Sequence, residues 1–402
     1  MCRIYAAILY SIKLPCGGRI IFNMTSKERH ELRYQRRKKR REAKKIERCK
    51  AIGQFEDIFQ FSTLYKHGKN CCRGVRWKNS TQRFELSLFS QTAKTRKEIL
   101  GQTWTPSKYY SFTLSERGKT RNIDAPKIQD RQVHKVITKE ILLPLYLPDM
   151  IYNNGASLPG KGLHFSFRML KEDLRWHFRR YGRDGAIILI DFKQFFPSAS
   201  HQAIYERHNR LIIEPGLKAL CDKIVSSSGK DKGMPLGVEP SQVEMIGLPS
   251  PLDNYVKCQL GIKCAGHYMD DYYIMVPPHR DAKDILAKFV HKAASLGFIV
   301  NLNKTKIQSL EKPFRYCKAK FTLTSTGRVI MNGNRDSVKR ARRKIRAFKK
   351  MYDAGMMSFD DVYMSVQSSL AYFKNYNDHN RLLRLRRLFY STFGMSAEQQ
   401  GQ

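Results

Sequence analysis

Acidic residues are scarce in this chain: 35 Asp and Glu stand against 74 Lys and Arg, a formal net charge of +39 over 402 residues. Solubility needs only a few units of charge, so an excess this large implies a polyanionic partner. Nucleic acid is the first candidate and an anionic membrane surface the second. Long apolar runs are also missing. Ile4-Tyr5-Ala6-Ala7-Ile8-Leu9-Tyr10 is too short to span a bilayer, is followed by Lys13 and Pro15, and lacks a small-residue cleavage site. The nine cysteines include the neighbours Cys71 and Cys72 but no CxxC spacing, which leaves a zinc site unsupported. Their odd count argues against a secreted disulfide framework and for reduced thiols in a cytoplasm. Apolar sequence is not lacking: at 42% it is enough to bury the core of two or three domains or of one elaborated enzyme.

The basic residues are spread along the chain, which favours a long basic channel over one charged tail. Residues 1–23 read as a mobile extension or an upstream translation artefact, because Met24-Thr25-Ser26 offers a second start. Residues 26–50 are helix-forming, with Arg36-Arg37-Lys38-Lys39-Arg40-Arg41 at their centre, either a solvated arm or a helix that grips RNA. Residues 55–100 read as mostly helical. Two aromatic or β-branched runs around Gly118 predict a β-hairpin that carries Lys119 and Arg121 on one face. A helix follows from Asp130 through Leu145, with Val133, Val136, Ile137 and Ile141 at core spacing, so His134 reads as structural. A small-residue loop over 151–162 then leads into a basic helix over 164–180.

Ala186-Ile187-Ile188-Leu189-Ile190 is an unbroken apolar run, as expected of a strand buried on both faces, and it ends in Asp191. A carboxylate there is expensive unless paired or coordinated. Phe192, Phe195 and Phe196 follow it. Gly233-Met234-Pro235-Leu236-Gly237-Val238-Glu239-Pro240-Ser241-Gln242 is a Gly/Pro-rich turn entering a helix, which permits close approach of a nucleotide backbone. His267-Tyr268-Met269-Asp270-Asp271-Tyr272-Tyr273-Ile274-Met275-Val276 reads as a hairpin with both acids at its turn. A bare Asp-Asp pair is usually a solvated turn; at a rigid hairpin it also suits a hard divalent cation. Residues 281–294 form an amphipathic helix, and runs at 316–323 and 328–331 flank Ser325-Thr326-Gly327 as another hairpin. Beyond Asp336 the chain is helical and basic. Cations such as Arg343 and Lys344 alternate with Phe348, Tyr352, Tyr372, Phe373 and Tyr376, as suits a bundle resting on a nucleic-acid duplex.

In this order, the features from about residue 100 to 390 resemble a reverse transcriptase. Asp191 with Phe195-Phe196 resembles the first palm motif, residues 233–242 the second, Tyr268-Met269-Asp270-Asp271 the third and residues 297–306 the fourth. The hairpin from Tyr316 is similar to a primer grip. The Tyr-x-Asp-Asp form points to reverse transcriptases, whereas RNA-dependent RNA polymerases usually show Gly-Asp-Asp. The resemblance implies an α+β right-hand polymerase fold with fingers, palm and helical thumb. Its divisions would be an N-terminal extension and basic arm (1–50), N-terminal helices and fingers (51–180), a palm with interspersed fingers elements (181–310), a primer-grip hairpin (311–335) and a basic helical thumb (336–402).

It also implies an RNA-directed DNA polymerase using two Mg²⁺ ions, with Mn²⁺ as a substitute. Asp191 and Asp270 would ligate metal with Asp271 in support, and Lys119 and Arg121 would hold the triphosphate. Phe192, Phe196, Leu236, Gly237, Gln242 and Lys304 would surround the nucleotide, Phe196 as a steric gate and Lys304 as proton donor to pyrophosphate. Tyr268, Met269, Tyr316, Arg343 and Lys344 would meet primer and template. The partners implied are an RNA template, a DNA or RNA primer, dNTPs and an accessory protein or structured noncoding RNA, with no membrane, in the cytoplasm of a bacterial host or encoded by its phage.

Among prokaryotic enzymes related to those of group II introns, Leu236-Gly237-Val238-Glu239-Pro240-Ser241-Gln242 resembles the hydrophobic-Gly-xxx-Ser-Gln form of diversity-generating retroelements. Most other relatives carry Gln at the position of Leu236 and Ser-Pro at Ser241-Gln242. Gly247 and Pro249 interrupt the aliphatic helix usual in that group, which keeps phage-defence reverse transcriptases in contention. Three other classes compete. A non-catalytic RNA-binding protein explains the charge without using Asp191 or Asp270. A membrane-surface protein explains only the arm. An RNA polymerase or primase-like palm keeps the acids, but Phe196 predicts exclusion of ribonucleotides.

Overall fold

The computed structural model describes residues 10–13, 19–22, 25–116 and 118–394, and of residues 10–13, 19–22, 116 and 119 the backbone alone. The expectation for residues 1–23 therefore lies largely outside the described residues. Within it, β1 (Tyr10–Lys13) and β2 (Arg19–Phe22) pair antiparallel.

Helix α1 (Ser26–Ile52) is started by a capping box: the Thr25 N–H donates to Glu28 Oε2 at 2.7 Å and the Glu28 N–H to Thr25 Oγ1 at 3.3 Å. It buries no residue, and its C-terminal end is tied down by Cys49 Sγ on the Leu211 carbonyl at 3.0 Å. Helices α2 (Phe55–Ile58), α3 (Phe61–Cys72), α4 (Asn79–Leu86) and α5 (Leu88–Leu100) follow. Next come the predicted hairpin, β3 (Tyr110–Glu116) with β4 (Lys119–Ala125), and α6 (Ile128–Val136). The chain continues through a π-helical stretch, Ile137–Leu142, into α7 (Leu143–Tyr146), so the helix expected through Leu145 is present. Phe59, Leu64, Ile99, Val133, Ile137 and Ile141 share one core.

Helix α8 (Leu163–Tyr181) leads to β5 (Ala186–Ile190), then α9 (His201–Leu211), α10 (Pro215–Ser226), α11 (Glu239–Gly247) and α12 (Ser250–Asn254). Strands β6 (Ala265–Tyr268) and β7 (Asp271–Val276), helix α13 (Ala282–Ser295) and β8 (Lys306–Ser309) follow. The sheet order is β6-β7-β5-β8, and every neighbouring pair is antiparallel. Ile188, Ile190, Tyr272 and Ile274 pack on one side with Phe289 of α13. Ile187, Tyr273 and Met275 pack on the other with Leu170 and Leu174 of α8. Burial from both sides is why β5 reads as an uninterrupted apolar run.

A second sheet of β9 (Phe314–Tyr316), β10 (Ala319–Leu323) and β11 (Val329–Asn332) covers that second face. One strand over 316–323 was the sequence expectation, and here the structure corrects it. The chain reverses at Cys317-Lys318, at φ 45° and 70°, so Tyr316 pairs with Ala319. Two central residues at positive φ make a type I′ turn, which Asn-Gly normally signals and Cys-Lys does not. The C-terminal helices α14 (Arg335–Asp353), α15 (Phe359–Lys374) and α16 (His379–Phe393) pack around Ile345, Val366, Phe373 and Phe389. No described helix is long and apolar enough to cross a membrane.

Candidate active site

Strand register decides which acids meet. Leu189 pairs with Tyr273 and Ile190 with Tyr272. One step further along both strands sets Asp191 opposite Asp271, on the face away from Ile190 and Tyr272. Both acids are half-buried and line one cleft of about 430 Å³ with Lys304, Arg315, Tyr316 and Cys317. Tyr268 pairs with Asp271, so Met269 and Asp270 are the central residues of the hairpin turn. Met269 carries positive φ, 54°, the type II′ signature that glycine normally supplies. A non-glycine residue held there stores about 1–3 kcal/mol of strain, so the surroundings must fix it. His267 does part of this: Nδ1 lies 3.2 Å from the Met269 carbonyl, Nε2 lies 3.2 Å from Asp253 Oδ2, and the ring stacks on Tyr272 at 4.3 Å.

Asp191 is held from the loop after α13. Asn301 Nδ2 donates to its Oδ2 at 3.3 Å, and Lys304 Nζ lies 3.2 Å from the same oxygen. On the other side of the cleft, the Cys317 thiol is pushed far above its usual range. Burial is the main cause, followed by the charge and hydrogen bonding of Asp271 and the charge of Asp270. Asp271 therefore lies against the β9–β10 turn. Among the described residues, no group of three or more His, Cys, Asp or Glu side chains forms a ready-made metal cage. The donor set nonetheless fits a divalent ion: hard carboxylate oxygens share one cleft, and the Lys304 ammonium already stands beside Asp191 as a cation. Asp191, Asp270 and Asp271 are the residues that would hold it.

Four of the nucleotide residues expected from sequence, Arg121, Leu236, Gly237 and Gln242, divide between two further cavities. One, of about 590 Å³, brings Arg121 and Leu236 together with Gln194, Lys230 and Lys232. It is closed at one side by the Asp124 N–H, which donates to the Leu236 carbonyl at 2.7 Å. A Cβ at Gly237 (φ 111°) would stand 2.9 Å from the Asp124 carbonyl, so only glycine allows this approach. Gly237 itself lines the other cavity, of about 310 Å³, with Gln242 and His134. The Lys119 side chain lies outside the described residues; its backbone pairs with Glu116. Phe196 is half-buried against Phe195, and its carbonyl accepts the Met234 N–H at 2.9 Å, beside the first of these cavities.

Phe192 is a correction. It is 4% exposed and packs among Phe195, Tyr272, Phe289 and Phe298, on the sheet face opposite Asp191. Strand alternation after Asp191 turns its ring into the core, away from the acids' face of the sheet. Tyr268 is half-buried; Tyr316 lines the catalytic cleft from a buried position, 3% exposed and beside the Cys317 thiol, which corrects its expected role as a contact for primer and template. Arg343 is exposed on α14, whereas Lys344 turns to α15, 3.4 Å from Ser369 Oγ. Lys230, Lys232, Asn301, His267 and Cys317 were not foreseen as parts of the site. The two lysines had a signal, charge immediately before the Gly233 turn; Cys317 had none.

A four-stranded antiparallel palm with acids at its strand ends, a basic hairpin beside it and a helical thumb define an α+β right-hand polymerase fold. Residues 108–321, more than half of the chain, match the family model of reverse transcriptase (RNA-dependent DNA polymerase). The chain belongs to that family of nucleotidyltransferases, whose members use divalent metal ions. Comparison with curated proteins finds no match. Similar solved structures include telomerase from Candida albicans in complex with a TWJ fragment of telomeric RNA, at 12% identity and TM-score 0.44, covering 76% of this chain and 58% of that one. Another is apo telomerase from Candida tropicalis truncated from its C-terminal domain, at 12% identity and TM-score 0.42, covering 55% and 54%. The chain thus spans little more than half the length of these structures.

Proposed function

We propose that this chain copies an RNA template into cDNA, extending a DNA or RNA primer with dNTPs, with Mg²⁺ as the working ion and Mn²⁺ as a substitute. The observation that carries this reading is the register that sets Asp191 and Asp271 on one face of β5–β7 above a single cleft, with Asp270 on the adjoining turn. Bound ions supply activation of the primer 3′-oxygen and charge neutralisation at the transferring phosphoryl group. Asp191, Asp270 and Asp271 would hold them. Arg121, Lys230 and Lys232 form the cationic wall for the triphosphate. Lys304 holds a proton at Nζ for the departing pyrophosphate. Residues 51–180 act as fingers, 181–310 as palm, 311–335 as primer grip and 336–402 as thumb, where Arg343 meets the duplex. The test is incorporation of a labelled dNTP on primed RNA with Mg²⁺. Binding of the RNA without incorporation would leave a non-catalytic RNA-binding protein.

Phe196 excludes the ribose 2′-hydroxyl in this reading. Phe196→Ala is expected to admit ribonucleotides, raising their kcat/KM relative to dNTPs at least about tenfold, the lower end of discrimination by pocket shape. An unchanged ratio would remove the steric gate.

Leu236, Gly237 and Gln242 support a role in a diversity-generating retroelement of a bacterium or its phage, in the cytoplasm and with an accessory protein. Glutamine near the nascent base pair can hydrogen-bond the nucleotide; leucine cannot. Leu236→Gln is expected to lower misincorporation severalfold, the scale of one net hydrogen bond of about 1 kcal/mol. Identical error spectra for the variant and wild type would remove this idea. The end of α11 at Gly247 favours a second reading, anti-phage defence. RNA and cDNA copurifying with the protein separate the two: a template-repeat RNA supports diversification, and a dedicated structured noncoding RNA supports defence.

A further inference from the structure

Behind the acid hairpin lies a carboxylate that is not part of the catalytic cleft. Asp173 on α8 is half-buried against the sheet, and its Oδ2 accepts two hydrogen bonds, from the Tyr273 hydroxyl at 2.8 Å and from Asn153 Nδ2 at 3.1 Å. The Asn153 amide also donates to the Tyr273 hydroxyl at 3.3 Å, which closes the triangle. Burial pushes the Asp173 pKa up to about 6, against the hydrogen bond from Tyr273, the charge of Lys257 and the hydrogen bond from Asn153. At neutral pH it is therefore ionised and acts as an acceptor only. A carboxylate in such a place is costly unless bonded, so its partners are informative.

Those partners reach both strands of the hairpin. Tyr273 lies two residues beyond Asp271 on β7, so the two side chains leave the same face of the sheet. Its ring is 1% exposed and stands edge-on to Tyr316 of β9 at 5.2 Å. Asn153 serves β6: its carbonyl accepts the His267 N–H at 3.2 Å, and the Gly155 N–H donates to the His267 carbonyl at 3.1 Å. Gly266 pairs with Tyr273 across the two strands. A Cβ at Gly266 would stand 2.7 Å from Asn153 Cβ and 2.9 Å from the Tyr273 hydroxyl, so only glycine leaves room for the triangle. One carboxylate oxygen thus ties α8, the loop at 153–155 and both strands of the acid hairpin together. The turn of that hairpin holds Met269 at a strained positive φ, so a hairpin released at its base has a setting to relax towards.

We propose that Asp173 is a positioning residue for the divalent-ion site: through Tyr273 and Asn153 it holds the β6–β7 hairpin where Asp270 and Asp271 share an ion with Asp191. Asp173 itself meets neither ion nor nucleotide. Mg²⁺ demands near-ideal octahedral geometry, so small displacements of its carboxylates weaken binding, and supporting hydrogen bonds of this kind fix ligand orientation. This rests on the metal-dependent polymerase reading, but it can fail separately.

The experiment titrates Mn²⁺ into the full chain and follows the EPR signal of the free ion, which reports binding without turnover. The binding absent in Asp191→Ala is that of the site. Tyr273→Phe keeps the ring and deletes only the hydroxyl; it is expected to weaken this binding about fivefold, the scale of one lost hydrogen bond. Asp173→Ala should weaken it at least as much. Asp173→Asn, which keeps an acceptor oxygen where Oδ2 stands, should recover most of the affinity. In single-nucleotide incorporation, Tyr273→Phe should lower kcat and leave the KM for dNTP unchanged, because the nucleotide cavity is built from other segments. Mn²⁺ binding by Tyr273→Phe and Asp173→Ala equal to that of wild type, whatever their Tm, would reduce the triangle to packing and overturn the proposal. Equal weakening by Asp173→Asn and Asp173→Ala would overturn it too, since the acceptor would then not matter. Mn²⁺ binding that follows the expected order in a protein that incorporates no dNTP would sink the polymerase reading alone.

Discussion

Asp270→Ala should reduce dNTP incorporation on primed RNA to background while the protein still melts as wild type does. A metal ligand contributes several kcal/mol of transition-state charge stabilisation. At 1.36 kcal/mol per decade, a loss of about 4 kcal/mol is on the order of 10³ in rate. Asp191→Ala should match it. Sequence motifs cast Asp271 as a supporting residue, yet Asp271 shares the strand face and the cleft with Asp191. Asp271→Ala should therefore be about as damaging. All three side chains are half-buried at the sheet end, outside the main cores, so Tm should change little. Single-nucleotide incorporation with matched melting curves checks this. Substantial synthesis by the Asp270 variant would contradict the assignment.

Glu244→Ala should be the most destabilising change away from the cleft. Glu244 on α11 is 2% exposed and serves two partners: Oε1 lies 2.9 Å from His208 Nε2, and Oε2 accepts the Tyr146 hydroxyl at 2.6 Å. His208 Nδ1 lies 2.6 Å from Asp222, and the Arg207 guanidinium covers the Tyr146 ring at 4.2 Å. Removing the carboxylate leaves a buried imidazolium half-paired and a buried hydroxyl unpaired, a cost of about 3–5 kcal/mol. That is a large part of an ordinary domain's stability. The network also titrates. Burial opposes protonation of His208, but the charge of Glu244 and the hydrogen bonds that the ring donates to Asp222 and Glu244 outweigh it and raise the pKa from 6.5 to about 9. With the folded value above the unfolded one, this contribution is complete below about pH 6.5 and is lost as pH rises through about 9. Urea midpoints should fall across that window in wild type and not in His208→Gln. A flat wild-type profile would contradict the charged-pair description.

The strand before Asp191 was legible because burial on both faces removes the polar alternation and leaves Ala186–Ile190 wholly apolar. The acid hairpin, the helix after the Gly/Pro turn and the basic thumb were legible for the same reason: each announces itself within about a dozen residues. What stayed hidden depends on pairing between distant segments. Local sequence puts Asp270 and Asp271 at one turn, and only the pairing of β5 with β7 brings Asp271 into the same cleft as Asp191. Alternation alone could have turned Phe192 inward, but its aromatic neighbours come from β7, α13 and the segment after it. The Cys317-Lys318 reversal lacks turn residues. For His134, periodicity correctly gave burial, but no sequence pattern tells whether a buried ring is bonded.

Iron-directed cleavage tests the metal site most directly. Fe²⁺ bound in place of Mg²⁺, with ascorbate and peroxide, cuts backbone close to the ion. Cuts should cluster around Asp191, Asp270–Asp271 and the Cys317 turn, fade with excess Mg²⁺ and vanish in Asp191→Ala. Cleavage that avoids both aspartate segments, or ignores Mg²⁺, would mean that these carboxylates do not share an ion.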